Sequence, residues 1–180
     1  LTGKPFAKVW IHHGLLTING QKMSKSLGNF ITIADAVKKY GADVLKIFFL
    51  SSHYASAIDF TEEKMAEAAK VYQRFDILFW KAAEIVGRKD WPAALAGDID
   101  FVAKAKEDFV KAMDDDFNTP KALGVLFELM NDINKFIDTK QHDSDYEAVI
   151  RQAVETLEGL CRDIFGLFKR EEKCTLTAEQ

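Results

Sequence analysis

One short cationic segment has the residue types for chemistry on a polyphosphate; it reads Lys22-Met23-Ser24-Lys25-Ser26-Leu27-Gly28-Asn29. Its two lysines, Lys22 and Lys25, carry compact, flexible ammonium groups of the kind that bind phosphate. The serine hydroxyl groups can add hydrogen bonds to phosphate oxygens, and Gly28 lets the backbone bend at low steric cost. A reaction in which charge develops on a polyphosphate requires such donors where the charge grows. The segment therefore predicts a loop that binds a polyphosphate.

The residues on either side of this loop argue against the simpler interpretation that its lysines are solvated surface charges. Residues 14–21 predict a strand that ends in a turn at Asn19-Gly20, which is a strong hairpin signal. Thr32, with Asp35 three residues later, predicts the start of a helix. A loop that connects a hairpin to a helix is held in position by both.

The lysine segment is identical to the KMSKS signature of class I aminoacyl-tRNA synthetases, and five blocks of the chain, in order, resemble the cysteinyl-tRNA synthetase family. The blocks are Trp10-x-His12-x-Gly14, Asn19-Gly20-x-Lys22, Ser26-Leu27-Gly28-Asn29-Phe30, Leu50-Ser51-x-His53-Tyr54 and Met113-Asp114-Asp115-Asp116-Phe117-Asn118-Thr119-Pro120. The resemblance covers roughly residues 1–168. His13 departs from it, because cysteinyl enzymes often have Asn or Ser there, although His fits the wider class.

The resemblance implies an activity and a site. Such enzymes use ATP, with Mg²⁺ as part of the substrate complex, to convert cysteine into cysteinyl-adenylate and then transfer cysteine to tRNA(Cys). Lys25 would stabilise the triphosphate as pyrophosphate leaves, and Lys22 would assist phosphate binding or loop closure. Met23, Ser24 and Ser26 would complete the ATP-binding loop.

Other parts of the family's machinery are not found in this sequence. The nucleotide-binding fingerprint with two histidines around Ile-Gly is absent, and so is the His-His-Glu-Asn-Glu stretch that supplies zinc ligands. His12-His13 does not replace that stretch, since no acid follows at the right spacing. We therefore expect a C-terminal fragment that is inactive alone, without the small anticodon-reading domain, and with zinc ligands outside this chain and no metal site within it.

The apolar periodicity predicts a mainly helical fold. Residues 1–31 would form a β-hairpin and the lysine loop at the end of an α/β catalytic domain, and residues 32–60 two stem-contact helices. Residues 61–168 would form an up-and-down bundle of four helices on the anticodon side, which binds tRNA. Residues 169–180 would form a flexible tail.

Several local features lead to narrower expectations. An apolar run in the first residues is predicted to be buried; it contains Phe6, Val9, Trp10 and Ile11. Ser144 and Glu147 predict a capping box at the start of the last bundle helix, whose inward side would run as far as Ile164 and Phe168.

Two polar features allow more than one interpretation. His53 could contact substrate or RNA, or could be a packing or capping residue. Residues 114–116 are three adjacent aspartates, which could bind a divalent cation, but the favoured interpretation is a solvated turn in which one acid caps a neighbour or bridges to a basic partner. Asn118 followed by Pro120 predicts the helix start after them.

Composition and charge set wider limits. Hydrophobic residues make up 48% of the chain and charged residues 29%, as in ordinary globular proteins. Residues 1–60 carry a net charge of +4 and residues 61–180 a net charge of −8. Residues 1–60, called the basic front below, therefore favour the binding of phosphate or nucleic acid. No visible signal peptide or membrane-length apolar run is present, and Cys161 and Cys174 are expected to be free thiols. These features predict a cytoplasmic protein that is monomeric and has no membrane partner.

Two other functions share some of these features. A cysteine ligase that acts on an amino-sugar acceptor, as in mycothiol synthesis, would carry the same lysine loop. A non-catalytic helical RNA-binding module would use the lysines only to touch backbone phosphate, and its tRNA binding would depend steeply on salt.

Overall fold

The computed structural model of the chain describes residues 3, 5–24, 28–87, 99–139 and 145–168. Within these residues the chain forms three strands and six α-helices. The strands are β1 (Leu16–Ile18), β2 (Gln21–Lys22) and β3 (Ile58–Phe60). The helices are α1 (Ile33–Tyr40), α2 (Ala42–Leu50), α3 (Glu62–Val86), α4 (Asp100–Asp114), α5 (Thr119–Asp138) and α6 (Tyr146–Gly159), which continues into a π-helical turn over Leu160–Ile164.

The predicted hairpin is confirmed. Strands β1 and β2 pair in antiparallel register, with Thr17 opposite Lys22. The turn residues Asn19 and Gly20 both have left-handed backbone conformations, with φ of 50° and 73°. Two consecutive left-handed residues are what a tight hairpin turn requires, and Asn-Gly adopts them at low cost. The hairpin therefore delivers Lys22 to the start of the lysine loop.

Strand β3 was not predicted, because residues 32–60 were assigned to two helices. It pairs in parallel with β1, with Thr17 opposite Asp59, and completes a sheet of order β2-β1-β3 in the described residues. The Thr17 hydroxyl group donates to Asp59 Oδ1 at 2.6 Å, and the Gly20 backbone N–H donates to the same oxygen at 2.8 Å. Asp59 thus ties the hairpin turn to the segment that leads into α3.

The carboxylate of Asp59 makes this connection sensitive to acid. The hydrogen bonds from Thr17 and Gly20 hold the pKa of Asp59 below its ordinary value. The carboxylate therefore stabilises the turn above the unfolded-state pKa of about 3.9, and this stabilisation is lost as the pH falls through the lower folded-state pKa. Asp59→Asn, whose side-chain oxygen accepts the same bonds at every pH, should remove the loss of amide-exchange protection at Gly20 below about pH 4. An NMR titration in which Asp59 protonates above its ordinary pKa would contradict the arrangement.

The two predicted helices after the loop are confirmed. The Thr32 hydroxyl group caps α1 by accepting from the Asp35 backbone N–H at 3.0 Å, and Gly41, with φ of 87°, separates α1 from α2. Helix α2 buries an almost continuous apolar surface made of Val44, Leu45, Ile47 and Phe48. Because α2 packs against α1, α3 and α5, it forms a layer between the hairpin region and the long helices.

The long helices form the mainly helical fold that was predicted. The Thr61 hydroxyl oxygen caps α3 by accepting from the Lys64 backbone N–H, and the Asn118 side-chain amide oxygen caps α5 by accepting from the Lys121 N–H. Helix α3 packs chiefly against α2 and α6, α4 packs against α5, and α5 also packs against α6. The large side chains that these helices bury completely include Met65, Phe75, Leu78, Leu126, Leu129, Met130, Ile133, Ile150 and Leu157. No helix within the described residues is long and apolar enough to cross a bilayer.

The prediction that the first apolar run is buried is wrong for this chain. The exposed fractions are 94% for Phe6, 74% for Val9, 67% for Trp10 and 61% for Ile11. Phe6 and Trp10 stack on each other, with ring centroids 6.0 Å apart. Apolar side chains in a run predict burial only where another element covers them, and no described element packs over this segment.

The end of the last helix also differs from the prediction. The π-helical turn changes the rotation of the chain, so that Ile164 is 55% exposed while Cys161 and Leu167 are buried. Burial raises the pKa of the Cys161 thiol to about 12, which keeps it protonated and unreactive. The structure begins α6 at Tyr146 after Asp145; Ser144, Cys174 and the predicted tail lie outside the described residues.

Candidate functional site

The base of the lysine loop is closed by one side chain, that of Asn29. Its Oδ1 accepts from the backbone N–H of Ser24 at 2.9 Å, and its Nδ2 donates to the backbone oxygen of Lys22 at 3.2 Å. The turn at Gly28, with φ of 67°, brings Asn29 back towards the end of β2. Asn29 therefore holds the two ends of the loop together. In the sequence, Asn29 stood out only as one residue of a block that resembles the family, without any sign of this role.

Lys22 is free to meet an anion. Its side chain is exposed at the end of β2, and it forms no ion pair with any residue that the structure describes. Met23 and Ser24 follow it and are half-buried. Lys25 and Ser26, the other predicted loop donors, lie outside the described residues.

Two other lysines of the basic front, Lys39 and Lys46, are already paired. Lys39 Nζ lies 2.5 Å from Glu62 Oε1, and this contact raises the pKa of Lys39 and lowers the pKa of Glu62. Lys46 Nζ lies 3.0 Å from Asp43 Oδ1. A small cleft of about 180 Å³ lies between the loop base at Asn29 and the Lys39–Glu62 pair. Of these three lysines, Lys22 is the one that forms no ion pair within the described residues.

A larger cleft of about 440 Å³ lies where the hairpin, the end of α2 and the start of α5 meet. The residues around it include His13, Gly14, Phe49, His53, Tyr54 and Thr119. Its walls are mostly apolar, and the structure brings His13 and His53 to the same cleft although they are 40 positions apart in the sequence. The cleft therefore has mostly apolar walls with a few polar atoms, and it does not bring a cluster of reactive side chains together.

The structure favours the packing interpretation of His53. Its Nδ1 accepts from the Ala55 backbone N–H at 3.3 Å, so its Nε2 carries the proton that is donated to the backbone oxygen of Asp116 at 3.0 Å. The ring stacks on Tyr54 with centroids 4.7 Å apart. The Tyr54 hydroxyl group donates to Asp116 Oδ1 at 2.7 Å, and this bond raises the pKa of Tyr54. Two adjacent residues after α2 thus both contact Asp116.

The aspartates of residues 114–116 form the predicted turn with a basic partner. Asp115 Oδ2 lies 3.5 Å from Lys121 Nζ, and Asp116 contacts His53 and Tyr54. Asp116 and Phe117 both have left-handed backbones, with φ of 53° and 52°. In the described part of the chain, no group of three or more His, Cys, Asp or Glu side chains is placed to hold a metal ion. No signal in the sequence indicated the two left-handed residues, although Asp adopts this conformation more readily than most residues.

Two regions of the chain match known families. Residues 1–70 match the class I (C) tRNA synthetase catalytic domain, and residues 108–169 match the DALR domain. The first match contains the lysine loop, the three strands, α1, α2 and the start of α3. The second contains α5, α6 and the residues around Asp116.

Similar proteins agree with these matches. The chain is 43% identical over 179 residues to the cysteine–tRNA ligase of Sulfurihydrogenibium sp. (strain YO3AOP1). This alignment covers 97% of this chain and 37% of that protein. It is 42% identical to the cysteine–tRNA ligase of Persephonella marina, again over 97% of this chain and 37% of the relative. The ligase of Aquifex aeolicus is 37% identical over 94% of this chain and 36% of its own length. The chain therefore spans little more than a third of the length of these curated relatives.

A solved structure shares the fold. The ternary LeuRS–tRNA–LeuAMS complex from Agrobacterium radiobacter K84 contains a chain that superposes with a TM-score of 0.68 over 83% of this chain and 20% of that chain. The two sequences are 18% identical in the comparison, so the likeness concerns the fold alone.

Proposed function

Because this chain belongs to the cysteinyl-tRNA synthetase family of class I tRNA synthetases, we propose that the protein is a cysteine–tRNA ligase. It activates cysteine with ATP to cysteinyl-adenylate and transfers cysteine to tRNA(Cys). The observation that carries this proposal is the lysine loop: Lys22 is exposed and unpaired among the described residues, and the loop that it begins is closed at its base by Asn29. ATP enters with Mg²⁺ as its substrate complex.

In the activation step, a carboxylate oxygen of cysteine attacks the α-phosphorus of ATP, and the bond from that phosphorus to the bridging oxygen breaks. Negative charge then builds up on the departing pyrophosphate, and ammonium groups placed beside it lower the free energy of the transition state. We assign this role to Lys25, with Lys22 assisting. Met23, Ser24 and Ser26 complete the ATP-binding loop, whose hydroxyl and backbone N–H groups donate to phosphate oxygens.

Zinc, which the family resemblance implies, has no fitting site in the described residues, since they bring no three suitable ligands together. We propose that its ligands lie outside this chain, and we assign no step to it.

We divide the chain into residues 1–31 at the end of the catalytic domain, residues 32–60 as stem-contact helices and residues 61–168 as the tRNA-binding bundle. The two helical parts are proposed to serve tRNA. Residues 61–180 are acidic overall, with a net charge of −8, so we expect a few specific contacts rather than a broad basic surface. We also propose that the protein acts as a monomer in the cytoplasm, where ATP, cysteine and tRNA meet.

The test uses the complete gene product that contains this sequence. We expect cysteine-dependent exchange of pyrophosphate into ATP, and cysteinylation of tRNA(Cys). The 180-residue chain by itself, which spans about a third of its relatives' length, is expected to catalyse neither. Exchange with another amino acid, or transfer of cysteine to an amino-sugar acceptor instead of tRNA, would contradict the proposal. Salt-sensitive tRNA binding without any exchange would identify a non-catalytic RNA-binding module.

A further inference from the structure

The turn after α2 and the turn between α4 and α5 are joined by polar contacts. The Tyr54 hydroxyl group donates to Asp116 Oδ1 at 2.7 Å, and His53 Nε2 donates to the Asp116 backbone oxygen at 3.0 Å. These contacts connect residues that are 62 and 63 positions apart in the sequence. The first turn lies in the segment that matches the catalytic domain, and the second lies in the segment that matches the DALR domain.

The same turn after α2 is bound to the strand that leads to the lysine loop. The Gly14 backbone N–H donates to the Tyr54 backbone oxygen at 2.8 Å, and the Ile58 N–H donates to the Leu15 oxygen at 2.9 Å. Strand β1 follows at once, and β2 then carries Lys22. A continuous set of backbone contacts therefore connects the lysine loop to Tyr54, and the tyrosine hydroxyl group extends the connection to the bundle.

Asp116 is held in a conformation that suits this contact. It is the first of two consecutive left-handed residues, and left-handed backbones are unfavourable for residues other than glycine. The backbone N–H groups of Phe117 and Asn118 return to the carbonyl oxygens of Met113 and Ala112. The turn is thus fixed from the α4 side by these bonds and from the α2 side by His53 and Tyr54.

A second contact secures the other end of α2. Lys46 Nζ donates to the Gly166 backbone oxygen at 2.6 Å, and the Phe168 backbone N–H donates to Asp43 Oδ2 at 3.0 Å. The bundle is therefore attached near both ends of α2. Because the apolar surface of α2 still packs against α3 and α5, and Asp43 and Lys46 still hold one end, loss of the Tyr54 contact would let the bundle tilt without detaching.

We propose that Tyr54 and Asp116 are positioning residues: their hydrogen bond fixes the orientation of the helical bundle relative to the lysine loop and so sets how tRNA is presented to the active site. This inference rests on the proposed ligase function. ATP and cysteine are small and meet the loop directly, so their reaction does not depend on the angle of the bundle. A tRNA that contacts both parts at once depends on it, because a small misplacement across a long ligand displaces the reacting end.

The test is Tyr54→Phe in the complete gene product. The variant keeps the ring stacked on His53 and removes only the hydroxyl group. We expect the rate and the KM values of cysteine-dependent pyrophosphate exchange to stay within about twofold of the wild type. We expect kcat/KM for tRNA(Cys) to fall about tenfold, as for the loss of one hydrogen bond to a charged acceptor, with most of the change in kcat for the transfer to tRNA, because the reacting end is displaced rather than unbound.

Variants at Asp116 separate the hydrogen bond from the backbone conformation. Asp116→Asn keeps an acceptor oxygen and tolerates the left-handed backbone, so it should behave as the wild type. Asp116→Gly keeps the backbone but removes the acceptor, so it should reproduce the tRNA defect of Tyr54→Phe, and the double variant should show no further loss. Tyr72→Phe, which removes a hydroxyl group from α3, is the matched control and should change neither reaction.

Two results would overturn the proposal. If Tyr54→Phe lowers pyrophosphate exchange as much as tRNA charging, the residue acts on activation or on folding in general. If it changes neither reaction, the hydrogen bond positions nothing. A wild-type protein without cysteine-dependent exchange would instead reject the proposed function, so the two failures are distinguishable.

Discussion

Lys25→Ala is expected to lower the rate of cysteine activation by at least about a hundredfold, while the free energy of unfolding changes by less than about 0.5 kcal/mol. The reason is that the ammonium group is needed mainly when pyrophosphate leaves, and a donor that acts on developing charge contributes more to the transition state than to the ground state. A hundredfold loss corresponds to about 2.7 kcal/mol of transition-state stabilisation. Pyrophosphate exchange measures the first quantity, and denaturant unfolding of the same sample measures the second.

Other lysines of the basic front provide the comparison. Lys38 is an exposed residue of α1, so Lys38→Ala removes the same charge and should leave the exchange rate unchanged. Lys22→Ala should have an intermediate effect, about tenfold, because Lys22 begins the loop and assists phosphate binding. Equal exchange rates in Lys25→Ala and the wild type would reject the role given to Lys25. If Lys25→Ala and Lys38→Ala lowered the exchange rate equally, the effect would come from the general positive potential of residues 1–60 and not from the position of Lys25.

Local signals in the sequence predicted most of the elements that support the site. A hydroxyl or amide side chain before a helix satisfies the first backbone N–H groups, and Thr32 and Asn118 do so at the predicted places. The Asn19-Gly20 turn was predicted for a similar reason, since its two backbone conformations depend on the residue types present. In each case the cause lies within four residues of the effect.

The contacts that join distant parts of the chain could not be predicted in this way. Strand β3 is three residues long and forms only because β1 is available 42 positions earlier to pair with it. The Tyr54–Asp116 bond depends on how the α4–α5 turn lies against α2. Asn29 was visible as part of a family block, but its role in closing the loop follows from two hydrogen bonds that spacing does not show.

Gly14→Ala is expected to destabilise the fold strongly, because the added methyl group would meet backbone atoms. A Cβ atom at Gly14 would lie 1.9 Å from the Ser56 backbone oxygen and 2.2 Å from its carbonyl carbon, well inside contact distance. Because the obstacle is backbone rather than the end of a side chain, the entry to β1 must move away from the turn at residues 54–58. That movement would break the hydrogen bond from Gly14 N–H to the Tyr54 oxygen.

The expected cost is about 3 kcal/mol of folding free energy or more, from overpacking together with a lost backbone hydrogen bond. It should appear as a lower midpoint of thermal unfolding for the complete gene product and as faster amide exchange at Gly14 and Ile58. Gly124→Ala is the matched control, since no atom lies within 4 Å of the position of its Cβ and it sits inside α5. There the added methyl should stabilise the protein by about 1 kcal/mol. If both substitutions left the unfolding midpoint unchanged, the hairpin would not lie against the 54–58 turn in solution. The connection from the lysine loop to Tyr54 would then be lost with it, because Gly14 supplies the hydrogen bond that reaches the Tyr54 backbone oxygen.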